Sequence, residues 1–270
     1  MNIDAIYIIL GILVGLITGI VPGLHSNTVI AVISSLGLDQ NAVGALIIAL
    51  FPAHLIASFI PSIFFGVPDS ETLTVVLPGQ RMVREGKGII ALKVALLSSL
   101  FAAALSSFVF YPSLNFFTSV YSWIAPYIKY ILLIFCLTLT MRTKRPAITL
   151  VIFVISGALG YVSLKSGVYD PFLPLFSGMF AIASMINYSK GAIGKQHDFK
   201  LNNFGFLLYV IVGVGLGANA DLLPGVGSPA QIAAIATIFI DANVLNYLAL
   251  VSSISVSESI FSLATAASIN

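Results

Sequence analysis

The chain has 270 residues, of which 59% are hydrophobic and only 8% are charged, whereas a typical soluble domain is about 25% charged. This composition excludes an ordinary soluble enzyme, a disordered chain and a nucleic-acid-binding protein, because a soluble core of this size cannot bury so many apolar side chains. The net charge of +2 is too small to indicate an electrostatic partner. The sequence therefore predicts an all-α polytopic membrane protein, with roughly eight to ten membrane segments of about 20 residues each.

The N-terminal part of the chain contains four apolar segments, over about 5–21, 24–37, 40–60 and 62–78. Pro22 and Gly23 separate the first two segments. Segment 24–37 is too short to cross a bilayer, so we expect a re-entrant or broken helical element there. With a re-entrant hairpin, three crossings precede the first basic loop. The N-terminus lacks the basic start of a cleavable signal peptide and is predicted to lie outside.

Ten of the twelve Lys and Arg residues fall into three clusters. The clusters are Arg81, Arg84, Lys87 and Lys93; Arg142, Lys144 and Arg145; and Lys190, Lys195 and Lys200. Short loops rich in Lys and Arg stay in the cytoplasm. Two candidate spans separate each pair of neighbouring clusters, so all three clusters can lie on one side. We therefore predict a multi-pass protein of the cell membrane with cytoplasmic basic loops.

Two stretches of the chain are alike. Both read Pro-Gly-x-x-Ser, from Pro22 to Ser26 and from Pro224 to Ser228, and both follow a Gly-rich apolar segment. A Ser-Ile-Phe sequence recurs downstream of each, at 62–64 and at 259–261. The crossing count makes the two copies inverted in the membrane. Inverted repeats whose helices are broken by Gly and Pro at matching positions indicate the binding site of a secondary transporter.

This duplication predicts the organisation of the chain. The first repeat, over 1–88, contains a span, a re-entrant segment, further spans and a basic loop. Middle transmembrane helices follow over 89–188, and a cytoplasmic loop occupies 189–203. The second repeat covers 204–270.

Three stretches carry a resemblance to a known family. They are GLITGIVPGL at 15–24, FFGVPD at 64–69 continued by LPGQRMVREGKG at 77–88, and LLPGVGS at 222–228. In order and spacing they resemble the large membrane subunit of tripartite tricarboxylate transporters, the TctA-type permeases, and more closely their shorter stand-alone branch. Family members are usually longer, so the chain is expected to be either truncated at Asn270 or a minimal form.

The resemblance implies a secondary active transporter of small organic anions, such as di- or tricarboxylates, that works by alternating access and is coupled to H⁺ or Na⁺. The partners implied are a small anionic substrate and the lipid bilayer, without nucleic acid. A small membrane subunit or a binding protein is left open as a further partner. No cofactor is implied beyond the coupling ion.

The candidate substrate site lies at the two helix breaks, where backbone amides and hydroxyls converge. Its residues are Pro22, Gly23, His25, Ser26, Asn27, Thr28, Pro224, Gly225, Gly227, Ser228 and Gln231. The alternative for Ser26 and Ser228 is helix N-capping. Neither motif contains Lys or Arg, so an anion would rest on helix N-termini and hydroxyls.

Four carboxylates are candidates for ion coupling, because acidic groups inside a membrane are costly and usually functional. They are Asp69, Glu71, Asp221 and Glu258. The alternative is an external turn for Asp69 and Glu71 and a span end for Glu258. His25 and His54 could carry a proton near neutrality, or they could be hydrogen-bonded interior residues. No His and carboxylate stand at metal-ligand spacing, so no metal site is predicted.

Other functions remain as alternatives. The sequence distantly resembles polyprenyl-phosphate carriers, which have two Pro-Gly-x-Ser loops. In such a carrier two helix tips can hold one phosphate without a buried Arg. A non-transporting structural subunit would explain the apolar spans but not the duplicated breaks. An intramembrane aspartyl protease fits poorly, because Asp170 precedes Pro171 in a predicted outside loop. We therefore predict that the protein is not an enzyme.

Overall fold

The protein is described by a computed structural model over most of its length. The described residues are 3–21, 26–34, 37, 39–67, 71–167, 193–197, 205–220, 232–233, 236 and 243–269. The helices considered below are α1 (Ile3–Ile20), α2 (Ser26–Ser34), α3 (Gln40–Phe64), α4 (Leu73–Arg84), α5 (Gly88–Ile124), α6 (Ile128–Arg142), α7 (Pro146–Lys165), α8 (Phe206–Ala218) and α9 (Val244–Ile269), with a 3-10 turn at Ala125–Tyr127.

Four helices in the described part of the chain are long and apolar enough to cross a membrane. These segments are Gln40–Phe64, Gly88–Leu114, Pro146–Lys165 and Val244–Leu263. Helices α1 and α8 are also apolar but shorter. The structure thus confirms the predicted all-α polytopic membrane fold.

The chain divides into two compact units. The first unit comprises Met1–Ile128 and Ile193–Asn270, and the second comprises Lys129–Ala192. In the second unit, α7 is apolar along its length and has no buried residue. A helix that is hydrophobic all round suits lipid better than water. The first unit contains the helices of both predicted repeats.

Helices α1 and α3 approach unusually closely, because glycines on α1 lie against the backbone of α3. Gly11, Gly15 and Gly19 each face a carbonyl of α3 so closely that a β-carbon there would collide with it. The carbonyls belong to Leu46, Leu50 and His54 in that order. Residue numbers rise together along both helices, so α1 and α3 run in the same direction.

This parallel packing bears on the first Pro-Gly motif. Helix α1 ends at Ile20 and α2 begins at Ser26, so the helix is interrupted here, although Pro22 and Gly23 themselves lie outside the described residues. Because α1 and α3 are parallel, residues 21–39 must carry the chain back to the end at which α1 began. A broken helix meets this requirement. A hairpin that returns to the same end would make the two helices antiparallel.

Helix α4 lies across the end of α3 rather than spanning the membrane. The hydroxyls of Ser62 and Thr72 are 2.6 Å apart at one end of α4, and Gln80 Nε2 donates to the Ile63 carbonyl at 2.7 Å near its other end. Gly66, just after the end of α3, adopts a left-handed backbone conformation with φ of 68°. The predicted span at 62–78 is therefore wrong, because this break divides the segment between α3 and α4.

Helices α8 and α9 repeat the packing of α1 and α3. Gly213 and Gly217 on α8 face the carbonyls of Leu250 and Ile254 on α9, so this pair is also parallel. On its other side α9 contacts α5, which starts at the basic loop. Their polar contacts are Ser253 Oγ to the Ser98 carbonyl at 3.5 Å and Ser106 Oγ to Ser257 Oγ at 3.1 Å.

The two helix pairs run in opposite directions. The order of the α5 contacts shows that α9 runs away from the basic loop, as α5 does. Helix α3 runs toward that loop. Gln80 of α4 donates to the carbonyl of Ile63 in the last turn of α3, and the ring of Phe64 lies beside Gly88 at the start of α5. The second pair is therefore inverted relative to the first. This arrangement agrees with the inverted repeat expected from the sequence.

Two of the basic segments dock on one another at one end of the first unit. Gln196 Oε1 accepts from the Gly88 amide at 2.8 Å, and Gln196 Nε2 donates to the Val83 carbonyl at 2.9 Å. The His197 amide donates to the Gly86 carbonyl at 2.9 Å. The segments around 85–88 and 193–197 consequently lie at the same end of the helices.

Glu85 balances part of the positive charge at this end. Its carboxylate accepts from Arg81 at 3.1 Å and from Lys87 at 3.2 Å. Hydrogen bonds from Arg81 and Lys87 hold the pKa of Glu85 below its ordinary value. These ion pairs stabilise the folded protein when the pH is above the pKa that Glu85 has in the unfolded chain. This stabilisation is lost as the pH falls through the pKa of Glu85 in the folded protein. The pairs are exposed, so their contribution to stability is small.

Candidate functional site

The interior of the first unit contains a group of buried hydroxyls. Five serines of α9 are fully buried: Ser252, Ser253, Ser255, Ser257 and Ser259. Each donates its hydroxyl to a backbone carbonyl, which satisfies it without water. Helix α9 contacts α3, α4, α5 and α8, so these hydroxyls lie at the centre of the unit.

Some of these hydroxyls join α9 to its neighbours. Ser255 Oγ donates to the Glu71 carbonyl at 3.2 Å, and Ser257 Oγ donates to the Val214 carbonyl at 3.0 Å. The first contact brings the turn before α4 to the central helix. The candidate carboxylate residues Glu71 and Glu258 thus belong to segments that touch, since Ser255 and Glu258 are one helical turn apart.

The glycine contacts define which positions of the two repeats are equivalent. A β-carbon on Gly15 would lie 2.4 Å from the Leu50 oxygen and 3.0 Å from the His54 amide nitrogen. A β-carbon on Gly217 would lie 2.6 Å from the Ile254 oxygen and 3.0 Å from the nitrogen of the residue four further on. That residue is Glu258, which therefore occupies in the second pair the place of His54 in the first.

The same glycines connect this geometry to the two Pro-Gly motifs. Gly15 precedes Pro22 by seven residues, and Gly217 precedes Pro224 by seven residues. Equivalent glycines therefore lead to equivalent prolines along the chain. This spacing supports the duplication that the sequence predicted.

The repeated Ser-Ile-Phe sequence does not agree with the register that the glycine contacts define. The alignment of the two Ser-Ile-Phe sequences differs from the glycine register by seven residues, or about two helical turns. The match therefore does not mark equivalent places in the fold. A three-residue match carries little information compared with repeated backbone contacts.

His54 lies deep between α1 and α3. It is 2% exposed, and its Nδ1 lies 3.0 Å from Thr18 Oγ1. The Thr18 hydroxyl donates to the Gly15 carbonyl at 3.1 Å. The Thr18 hydroxyl therefore links the His54 ring on α3 to the backbone of α1.

Glu258 lies at the depth of His54 on the antiparallel helix. Leu55, which follows His54, packs in one apolar cluster with Val256 and Ile260. These two residues flank Glu258 on α9. Because α3 and α9 run in opposite directions, their levels coincide only around this crossing. The two ionisable residues therefore lie at a similar level of the first unit, on helices that these apolar side chains join.

The structure places three of the predicted site residues. Ser26 begins α2 and is 2% exposed, while Glu71 and Glu258 are half-buried. Asn27 and Thr28 belong to α2, but their side chains lie outside the description. The remaining candidates also lie outside the described residues: Pro22, Gly23, His25, Asp69, Asp221, Pro224, Gly225, Gly227, Ser228 and Gln231. The two-tip substrate site therefore stays a prediction.

Sequence reasoning missed the role of the glycines and the pairing of His54 with Thr18. A signal for the first was present, because glycine recurs every fourth residue on α1 and again on α8. That spacing is typical of membrane helices whose backbones touch. The Thr18 contact had no such signal, since it joins residues on two different helices. Within the described residues, no group of three His, Cys, Asp or Glu side chains could hold a metal ion.

Comparisons with known proteins agree with this architecture. The profile described as "Tripartite tricarboxylate transporter TctA family" matches residues 5–203. The chain is also 31% identical over 275 aligned residues to the "Uncharacterized protein MJ1079" of Methanocaldococcus jannaschii, covering 96% of this chain and 68% of that protein. No solved structure matches the chain. With a family match over most of its length, the chain belongs to the tripartite tricarboxylate transporter TctA family.

Proposed function

We propose that the protein is a secondary active carrier of small organic anions, of the di- or tricarboxylate kind, that works by alternating access. Membership of the TctA family makes the chain a component of tricarboxylate transport in general. The observation that carries the finer proposal is the inverted pair of glycine-packed helices, each followed after the same spacing by a Pro-Gly motif. Inverted repeats around broken helices are the architecture of secondary carriers.

The substrate is proposed to bind between the two motifs, with Ser26 and Ser228 beside it. Pro lacks an N–H and interrupts the helical hydrogen bonds, so backbone groups at each break need other partners. Helices that restart there direct their positive dipole ends toward the break. Ser26 begins such a helix and is buried, which supports this role for the first motif.

Uptake into liposomes tests the proposal. Purified protein is reconstituted, loaded with unlabelled citrate or succinate, and assayed for counterflow of the radiolabelled anion. We expect counterflow in the wild type and its loss in Ser26→Ala and Ser228→Ala. Ser166→Ala, at the exposed end of α7, serves as the control and should retain counterflow. Absence of counterflow for every carboxylate in the wild type would favour a non-transporting structural subunit.

A polyprenyl-phosphate carrier is the second candidate, because neither Pro-Gly motif contains Lys or Arg. Helix N-termini alone can bind a phosphate. A thermal-shift comparison separates the two candidates. Stabilisation by an isoprenoid phosphate, with none by citrate or succinate, would favour the lipid-phosphate carrier.

The proposed orientation places the basic loops in the cytoplasm and the N-terminus outside. Short loops rich in Lys and Arg remain on the cytoplasmic side. The docking of 193–197 on 85–88 supports a common side for the first and third basic clusters. A tripartite system implies other subunits, and we propose that a small membrane subunit or a binding protein acts with this chain.

A further inference from the structure

His54 and Glu258 are ionisable residues in the middle of the central helices of the two repeats, α3 and α9. His54 is almost fully buried and Glu258 is half-buried. An ionisable side chain at membrane depth is costly to keep, and such residues commonly serve proton or ion movement. The structure places them at equivalent positions, because the contacts of Gly15 and Gly217 fix the same register in both pairs.

We propose that His54 and Glu258 form the proton-coupling pair of the carrier, with one member in each inverted repeat. The inference rests on the proposed carrier function. It narrows the coupling ion from H⁺ or Na⁺ to H⁺, and it adds His54 to the coupling site.

Their common level at the crossing of α3 and α9 suits this task. Leu55, Val256 and Ile260 join the two helices beside the pair. In alternating access, equivalent positions of inverted repeats open in turn to opposite sides. A proton taken up at this level from one side can therefore be released at the same level to the other side, together with the anionic substrate.

Both side chains of the pair are of a type that can take up and release a proton. The Thr18 hydroxyl lies 3.0 Å from Nδ1 of His54 and holds the ring between α1 and α3. Uptake of a proton at a ring nitrogen converts a neutral imidazole to imidazolium, and release of that proton restores it. The carboxylate of Glu258 gains and loses a proton in the same way. Imidazole nitrogen binds protons readily, whereas hard cations prefer oxygen ligands.

Several other titratable groups lie on the elements packed against α3 or in the turn before α4. Those whose side chains are described are Tyr7, Glu71, Arg81, Arg84, Lys93, Tyr111 and Tyr247. Arg81, Arg84 and Lys93 are exposed toward the basic-loop end. Glu71 adjoins Thr72, which contacts Ser62, two helical turns beyond His54. Tyr111 adjoins Phe110, which packs on the cluster of Leu55, but the Tyr111 side chain is exposed. Glu258 is the half-buried acidic group at the level of His54.

The test separates substrate exchange from proton coupling in liposomes, with radiolabelled citrate as the probe. Counterflow at equal pH on both sides needs no net proton movement. Net uptake is measured with the outside at about pH 5.5 and the inside at about pH 7.5, a range over which imidazole titrates. We expect His54→Gln and Glu258→Gln to retain counterflow. In both variants the stimulation of net citrate uptake by the pH gradient should fall at least about fivefold, because coupling between two sites typically changes an equilibrium by at least this factor.

Two matched variants make the same chemical changes outside the membrane interior. His197→Gln removes an imidazole and Glu85→Gln removes a carboxylate, both from the exposed basic-loop end. Both should keep the full response to the pH gradient. Unchanged stimulation in His54→Gln and Glu258→Gln would overturn the pair and leave the carrier function standing. Uptake driven by a Na⁺ gradient and not by the pH gradient in the wild type would also overturn it.

A second readout does not depend on transport. The melting temperature of the wild type is compared at about pH 5.5 and about pH 7.5 with that of the same variants. Loss of this pH dependence in both variants supports the pair, and an unchanged dependence overturns it, even if citrate counterflow is absent and the proposed function fails. If His54→Gln does not yield folded protein, His54→Asn and the Glu258 variant decide the question.

Discussion

Gly217 sets how closely α8 and α9 approach. A β-carbon there would lie 2.6 Å from the Ile254 carbonyl oxygen and 2.8 Å from the β-carbon of Ser257. Lipid is as apolar as most helix surfaces, so helices in a membrane associate mainly through close packing and hydrogen bonds. Glycine permits that packing because it has no side chain. The neighbouring Gly215 meets nothing within 4 Å and has no such role.

Replacing Gly217 by alanine should therefore destabilise the protein. We expect Gly217→Ala to lose about 1–3 kcal/mol, the usual cost of overpacking, and to lower the melting temperature in detergent. Gly215→Ala is the matched control on the same helix and should leave the melting temperature unchanged or slightly higher, since Ala favours helix. Equal melting temperatures for the two variants would contradict the packing described for α8 and α9.

Thr18 offers a second test at the level of one residue. Its hydroxyl joins His54 to the Gly15 carbonyl in a buried place. Thr18→Val keeps the shape and removes both hydrogen bonds, so the buried Nδ1 of His54 loses its hydroxyl partner. We expect a loss of about 1–3 kcal/mol, measured as a lower melting temperature. Thr18→Ser keeps the hydroxyl and should lie closer to the wild type; the opposite ranking would argue against this bond.

At the scale of elements, a short extended segment closes the basic-loop end of the first unit. Residues 193–197 contribute backbone and side-chain hydrogen bonds to the turn between α4 and α5. The side chain of Gln196 makes two of them, because it accepts from the Gly88 amide and donates to the Val83 carbonyl. Its Nε2 also donates to the Gly194 carbonyl within the segment. The segment thereby ties the end of the first repeat to the chain that leads into the second.

Loss of the Gln196 side chain should release this segment. We expect Gln196→Ala to speed trypsin cleavage at Lys195 in detergent, because each lost hydrogen bond costs about 1 kcal/mol and the segment is held by few others. Ile193→Ala changes an exposed neighbour and provides the control. Cleavage rates that match in the two variants would show that Gln196 does not hold the segment.

At the scale of the whole molecule, the order of contacts gives the direction of each helix pair. Helices α1 and α3 run toward the end at which 85–88 and 193–197 dock, whereas α5 and α9 run away from it. The start of α1 therefore lies at the opposite end from the basic turn. The proposed cytoplasmic position of the basic turn therefore predicts an N-terminus on the outside.

Cysteine labelling checks this arrangement in intact cells. The single Cys136 is first replaced by serine, and cysteines are then introduced in place of Arg84 or Lys195. We expect both to resist a membrane-impermeant maleimide from outside and to react after permeabilisation. Asn2→Cys should react from outside. Labelling of positions 84 and 195 from different sides would contradict both the orientation and the docking of the two segments.

The sequence by itself determined the class of protein and predicted a duplication. Its apolar composition exceeds what a soluble core can bury, which leaves the membrane as the solvent. The two Pro-Gly-x-x-Ser motifs are local, because Pro and Gly disrupt a helix wherever they stand. The helix boundary at Ile20 and the helix start at Ser26 follow from such local chemistry. The family resemblance likewise depends on short local motifs.

Only the tertiary structure decided the register and direction of the helices. Apolar periodicity is the same for a parallel and an antiparallel neighbour, so no local pattern shows that α1 and α3 are parallel. The predicted span at 62–78 failed for a similar reason, because a short helix can cross the membrane or lie across a neighbour's end with the same composition. The equivalence of His54 and Glu258 required backbone contacts at Gly15 and Gly217, which join residues far apart in sequence and leave no trace in either segment alone.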